Sequence, residues 1–359
     1  MKAGNIKGAL LEYIVRNLLK NCGFTNVRAD GVFSFERGGQ FWINGRGAAH
    51  DADIIMNPPI QMPFTYPTQL LFECKAYGTS AGLPIVRNAL GLRHDLNEFE
   101  IVTRDTLSFR KNNSRAAYAI DYRTRFLYQV GVASVNGFSK PAIEFAANNK
   151  IPLLPLDWFL GTASIRNFND IDQHFIDRFD QHVIQNLYDF LKDRDGNLRA
   201  TKYRRAYEFL NSDNILCSIV TSANETLGHS YVGLLETGDM VFLSAIPEGD
   251  NILKQQNWVT SLKAEIHWLP NNPNVWILSI YRNGKNIRRT DFNFYLPKPI
   301  LNRWEGFNLD KTVALDIKTE FFSKIFVFNK KSNPEVPFSI ININKEWLDR
   351  ARQRLSDEE

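Results

Sequence analysis

The chain is poor in the residue types and patterns that mark several large protein classes. Of its 359 residues only three are cysteine (Cys22, Cys74, Cys217), widely spaced and with no CxxC pair. An odd, scattered set argues against a disulfide framework and a structural zinc site, and fits a reducing compartment. No apolar run approaches the ~20 residues that span a bilayer. The polar N-terminus enters a helical pattern at once, without the profile of a signal peptide. A cytoplasmic protein with no membrane partner is therefore expected. There is no glycine-rich phosphate loop, so no nucleotide cofactor is implied. Gly228-His229-Ser230 lacks the frame of a nucleophile elbow. Charge of one sign is scarce as well: 43 Lys plus Arg against 39 Asp plus Glu leaves +4, too little to mark the whole chain as a nucleic-acid binder. What remains, 44% hydrophobic and 23% charged residues, is the composition of an ordinary globular chain of about two domains.

Residues 6–20 carry Ile6, Leu10, Ile14 and Leu18 at helical spacing, with Asn5 as cap and Gly23 as stop. Short β-like runs follow at 32–35, 41–43 and 51–56, then a connection with Pro58, Pro59, Pro63 and Pro67 that forbids helix and central strand. Gln69–Lys75 reads as a strand and Leu83–Phe99 as a helix. Residues 126–135, 140–149 and 151–156 read as strand, helix and strand, the pattern of a parallel crossover. One helix is expected over 168–194. Runs at 215–221, 240–245, 275–281, 293–296 and 322–328, separated by Asn, Gly, Pro and Asp clusters, predict an antiparallel β domain. The second half also holds five of the seven tryptophans, including Trp258, Trp268, Trp276, Trp304 and Trp347, which are core residues first of all. The expected division is 1–165, a helical linker 166–205, and 206–359.

The chemistry concentrates at Asp53, Glu73 and Lys75. Residues two apart on a strand share a face, roughly 6–7 Å apart, so Glu73 and Lys75 point together where an ordinary strand would stay neutral. Asp51, Asp53 and Ile55 share a face of the preceding run, and Asp53 can meet Glu73 across the proline-rich hairpin. Two carboxylates beside a lysine suit Mg²⁺ or Mn²⁺ and phosphodiester hydrolysis. The lysine can position water or stabilise developing charge. A surface Glu–Lys pair and an unrelated aspartate would share this spacing.

The segment GRGAAHDADIIM…QLLFECKAYG resembles the PD-(D/E)XK nuclease superfamily and, within it, the Mrr-like restriction endonucleases. VASVNGFSKPAIEFAANNKIPLLPLD looks like that family's closing strand–helix–strand. The resemblance covers about residues 5–160 and lacks the proline that names the superfamily. It implies a restriction-endonuclease-like α/β domain, a central mixed sheet flanked by helices, followed by the helical linker and a β-rich C-terminal domain for recognition, sensing or oligomerisation. It implies Asp53 and Glu73 as metal residues, Lys75 as catalytic, the Cys74 carbonyl as a further ligand, and Glu12 on the first helix as an additional metal-site residue. Asp51 competes with Asp53, which is preferred because it directly precedes Ile54–Ile55. Arg16, four residues from Glu12, makes a plain surface pair an equal account of that glutamate.

Nucleic-acid contacts are expected from Arg87 and Arg93 on the helix after the Glu-x-Lys strand. They are also expected from Arg110, Lys111 and Arg115 in the basic stretch 104–125, where Phe109, Tyr118 and Tyr122 are interleaved; a solvated loop has the same composition. His50 lies near the proposed site. Asp170, His174 and Asp177 share a helical face, a triplet that charged amphipathic helices produce routinely. The expected function is a Mg²⁺-dependent endonuclease, Mn²⁺ substituting, that cuts DNA in restriction or antiviral defence. The alternatives are an RNA-cleaving nuclease and a catalytically silent nucleic-acid-binding or assembly module. Double-strand cleavage needs two sites, so a homo-oligomer or a partner-regulated complex is expected.

Overall fold

The computed structural model describes residues 1–31, 34–37, 40–46, 48–59, 61, 66–97, 126–195, 201–237, 240–246, 261–282, 288–328 and 338–358. The chain divides into two compact units, one of residues 1–20 and 24–223, the other of residues 224–359 with 21–23.

The first unit opens with helix α1 (Ala3–Asn21), whose apolar stripe (Ile6, Leu10, Ile14, Leu18) is buried. It stops at Gly23, whose φ of 86° lets the chain turn back so that the Phe24 N–H reaches the Leu19 carbonyl at 3.0 Å. Strands β1 (Thr25–Asn26), β2 (Ser34–Arg37), β3 (Gln40–Asn44), β4 (Ala49–Asp51), β5 (Ile54–Asn57) and β6 (Thr68–Lys75) follow, then α2 (Leu83–Asn97), β7 (Leu127–Ser134), α3 (Lys140–Asn148) and β8 (Leu153–Pro155). A five-stranded sheet runs β1-β5-β6-β7-β8, antiparallel up to β6 and parallel from β6 to β8. Strands β2-β3-β4 form a separate antiparallel sheet. The run expected over 51–56 is thus two strands in two sheets, with Ala52–Asp53 at the joint.

Four further helices complete the first unit up to the division: α4 (Asp157–Asp170), α5 (Gln173–Asp177), α6 (Gln181–Lys192) and α7 (Thr201–Ser212). The single helix expected over 168–194 is broken twice, because Asp172 and Asp180 leave helical geometry and accept hydrogen bonds from the Phe175 and His182 N–H groups at 2.8 and 2.7 Å. Asp170, His174 and Asp177 therefore lie on two helices. The next helix, α8 (Asn214–His229), replaces the strand expected at 215–221. Asp213 takes the Ile215 and Leu216 N–H groups on one oxygen at 3.0 Å each and starts a helix that β-branched residues alone would not reveal.

The second unit is a closed barrel of β9 (Ser230–Leu235), β10 (Met240–Ala245), β11 (Ser261–Leu269), β12 (Asn272–Arg282), β13 (Arg288–Tyr295), β14 (Lys324–Phe328) and β15 (Phe338–Ile343), ordered β10-β13-β12-β11-β15-β14-β9. Its β11–β15 pair is parallel. Helices α9 (Lys298–Gly306), α10 (Lys311–Phe321) and α11 (Lys345–Glu358) accompany it. Alternation along β12 buries Trp276, Leu278 and Ile280, and β13 adds Phe292 and Phe294. Trp258 lies outside the described residues.

This architecture corrects the expected restriction-endonuclease-like α/β domain, helical linker and antiparallel β-rich domain. The C-terminal strands close on themselves, which removes the sheet edges; they include a parallel pair, and among the described residues three helices accompany them. The N-terminal strands split between two sheets. The segment expected as a linker is packed into the first unit: Arg16 donates to the Leu191 and Asp193 carbonyls at 3.1 and 3.0 Å, and Arg194 lies 4.1 Å over the Phe41 ring.

Candidate active site

The β5–β6 register pairs Ile54 with Phe72 and Met56 with Leu70, so the chain reaches Asp53 opposite Glu73 as β5 begins. The Cys74 N–H donates to Asp53 Oδ2 at 2.8 Å, which fixes one carboxylate oxygen at the end of β6. Among the described residues Asp53 makes no other hydrogen bond. Glu73 and Lys75 share a face of β6, and Lys75 Nζ lies 3.0 Å from Glu73 Oε2 with both side chains about a quarter exposed. Asp51, by contrast, is exposed on β4, paired with Trp42 in the other sheet. Of the two competing aspartates, Asp53 is the one that accepts from the Cys74 N–H beside Glu73 and Lys75, while Asp51 on β4 acts on Glu73 through its charge. These residues lie where β6, parallel to β7, ends at its carboxyl side, the usual position of a ligand site in such sheets.

Glu12 on α1 lies within electrostatic reach of Asp53 and Cys74. It is 4% exposed, and Lys192 at the end of α6 lies 2.7 Å from both of its carboxylate oxygens, with Arg16 at 4.0 Å. Burial pushes the Glu12 carboxyl up to about 7; Lys192 pulls against this, while the nearby charge of Asp53 adds to it. Glu73 is raised in the same way, by burial first, against the pull of Lys75. Burial disfavours both ammonium groups, yet both are raised: Glu73 and Asp53 outweigh it at Lys75, and Glu12 and Asp53 at Lys192. Asp53 thus acts electrostatically on two Lys–Glu pairs from different parts of the chain.

Nothing local in the sequence singles out Lys192. Its partner is 180 residues away, and a lysine in the last turn of a helix is ordinarily a dipole partner. Arg87 is exposed with its guanidinium 5.8 Å over Phe145, and Arg93 donates to the Lys150 carbonyl at 3.2 Å. Both hold α2 against α3 and the turn after it. His50 lies 2.6 Å from Asp95 of α2. Arg110, Lys111 and Arg115 lie outside the described residues.

The donor set suits one hard cation. Asp53 and Glu73 supply two carboxylates, and Mg²⁺ is commonly held by one or two carboxylates with water filling the rest of its shell. Among the described residues no group of three or more His, Cys, Asp or Glu side chains gathers as a ready-made ligand cage. Asp53 and Glu73 are the residues that would hold such an ion.

These features define a class of site, carboxylates and lysines at the carboxyl end of paired strands, without defining a family. No family model and no curated protein matches the sequence. Among solved structures, a crystal structure of a protein of unknown function, AF1548, is similar over 62% of this chain and 98% of that one, with 13% identity and a TM-score of 0.30.

Proposed function

We propose that the chain is a metal-dependent endonuclease that hydrolyses DNA phosphodiester bonds, with Asp53 and Glu73 as metal ligands and Lys75 as the catalytic lysine. The observation that carries this reading is the Cys74 N–H to Asp53 bond, which places a second carboxylate beside the Glu73–Lys75 pair. The PD-(D/E)XK-like motif supports it. Bound Mg²⁺ would lower the pKa of a water and withdraw charge from the scissile phosphate. Lys75, held by Glu73, presents its ammonium where charge develops on the phosphate in the transition state. Restriction or antiviral defence is the proposed setting, in a homo-oligomer or a complex with a regulating partner.

A second reading has its own observation. Glu12 and Glu73 each already face a lysine, which is also how a catalytically silent nucleic-acid-binding module would balance its charge.

The test is supercoiled plasmid incubated with the protein and Mg²⁺ or Mn²⁺, beside Lys75→Ala and EDTA controls. Nicking or linearisation that needs both metal and Lys75 is expected. An RNA duplex or single strand cut in preference to plasmid moves the substrate to RNA. No cleavage of either, with Mn²⁺ still bound, favours the silent module. No cleavage and no Mn²⁺ binding overturns the nuclease.

A further inference from the structure

We infer that Lys192 is a second phosphate-binding lysine of the candidate site, and that Glu12 is the positioning residue that holds its ammonium there rather than a metal ligand. The inference rests on the nuclease reading above and assigns within it a substrate contact that the motif does not contain.

The geometry of the pair comes first. Lys192 Nζ spans both oxygens of Glu12 at 2.7 Å, so two of its three N–H donors are engaged, and among the described residues the third has no partner. The carboxylate below is almost fully buried while the lysine is a quarter exposed. The ammonium is thus held against a buried carboxylate by a side chain that is itself part-exposed. Both oxygens of Glu12 face the Lys192 ammonium, whereas Glu73 meets Lys75 through Oε2 and Asp53 accepts from Cys74 through Oδ2, so among the described residues each of these two keeps a second oxygen for a metal.

Attachment of α6 does not account for the pair. Arg16 already donates to the carbonyls on either side of Lys192, Lys20 and Asn26 donate to the Arg194 carbonyl, and Arg194 donates to the Val27 carbonyl. Those contacts fix the end of α6 with the backbone of residues 191–194. A buried ion pair is often no more stabilising than the apolar side chains that could replace it. The placement of the charge is what the pair adds. Asp53 electrostatically favours the ammonium of both Lys75 and Lys192, so a lysine from β6 and a lysine from α6 both lie within reach of the charge of the proposed metal ligand. A phosphate approaching Asp53 and Glu73 then meets two cations, one of them contributed by a helix more than a hundred residues further along the chain.

The test is the salt dependence of binding to a short fluorescein-labelled DNA duplex, measured by anisotropy in EDTA with the full chain. A lysine that contacts phosphate releases about one counterion, so Lys192→Met should lower the slope of log K against log salt by about 1. Lys192→Arg should restore it. A structural role would change stability and leave the slope alone. If Lys192→Met does not fold, Lys192→Gln reads the same slope. Glu12→Gln should weaken DNA binding while retaining Mn²⁺, titrated by electron paramagnetic resonance. An unchanged slope in the Lys192 variants overturns the assignment. Loss of Mn²⁺ in Glu12→Gln overturns it differently, making Glu12 a ligand and Lys192 its placeholder. In either case wild-type cleavage leaves the nuclease reading standing. A wild type that binds neither DNA nor Mn²⁺ removes both.

Discussion

Asp53 does two jobs that substitutions can separate. Its carboxylate satisfies the Cys74 N–H and supplies negative charge to the candidate site. Asn keeps an oxygen for the hydrogen bond and loses the charge; Ala loses both and leaves a part-buried N–H without its partner, at about 1–3 kcal/mol. Asp53→Asn is therefore expected to melt near the wild-type temperature yet fail to bind Mn²⁺, whereas Asp53→Ala should lose Mn²⁺ and melt several degrees lower. Calorimetry and Mn²⁺ titration on the same samples check this. Asp53→Asn with wild-type Mn²⁺ affinity would remove it from the ligand set. A second residue-scale prediction concerns Gly131, which lies opposite Phe72 in the β6–β7 ladder. A Cβ there would sit 2.6 Å from the fully buried Phe72 ring and 3.0 Å from the Pro152 carbonyl oxygen. Neither neighbour is a flexible tip, so Gly131→Ala should cost about 1–3 kcal/mol by overpacking, read as a lower denaturant midpoint with the slope unchanged.

At the scale of elements, α10 carries a charge in an unusual place. Lys318 is 2% exposed, and its ammonium lies 4.3, 5.1 and 5.5 Å from the ring centres of Trp268, Trp347 and Trp276. Burial lowers its pKa from 10.5 to about 7; the ring faces oppose this, each attracting a cation by about 0.5–2 kcal/mol. Between pH 7 and 10.5 the unfolded chain holds a proton that folded Lys318 lacks, so stability rises with pH across that window. Below 7 both states are protonated and the full cost of burying the charge is present, on the order of 5 kcal/mol before the rings are counted. Lys318→Met should thus stabilise the protein by about 1–4 kcal/mol at pH 6 and flatten the rise toward pH 10. Urea titrations at the two pH values measure both effects, and a variant less stable at pH 6 means that the rings win.

The elements that could be read from the sequence are those whose signals are local. Gln69–Lys75 is legible as a short apolar run buried on both faces, and the stripe of α1 as a periodic one; Glu73 with Lys75 follows from the two-residue period of a strand alone. Ile215–Thr221 misleads because four of its seven residues (Ile215, Ile219, Val220 and Thr221) are β-branched, and the deciding signal is the single cap Asp213 just before it. The same kind of cap, at Asp172 and Asp180, breaks a stripe that otherwise continues. Lys192 and barrel closure lie beyond any such reading. Each depends on partners brought together over long separations, as in the Glu12–Lys192 pair and the parallel β11–β15 pairing.

For the whole molecule, no described helix is long and apolar enough to cross a membrane, and each of the two units is built on apolar residues of its own. One core joins Val27, Ile55, Leu71, Val86, Val132 and neighbours up to Ile151; the other runs from Tyr231 to Leu348 around Trp276 and Phe294. The candidate metal ligands lie in the first unit and Lys318 in the second. A ligand that binds only the folded state stabilises what unfolds with its site, by about 2.7 kcal/mol at a hundred times Kd. Calorimetry of the full chain should therefore resolve two transitions. Mn²⁺ should raise one of them and leave the other in place, and Lys318→Met at pH 6 should raise the one that Mn²⁺ leaves. If Mn²⁺ and Lys318→Met move the same single transition, the two units unfold together. In that event the charge buried at α10 would weigh on the stability of the site as well as on that of the barrel.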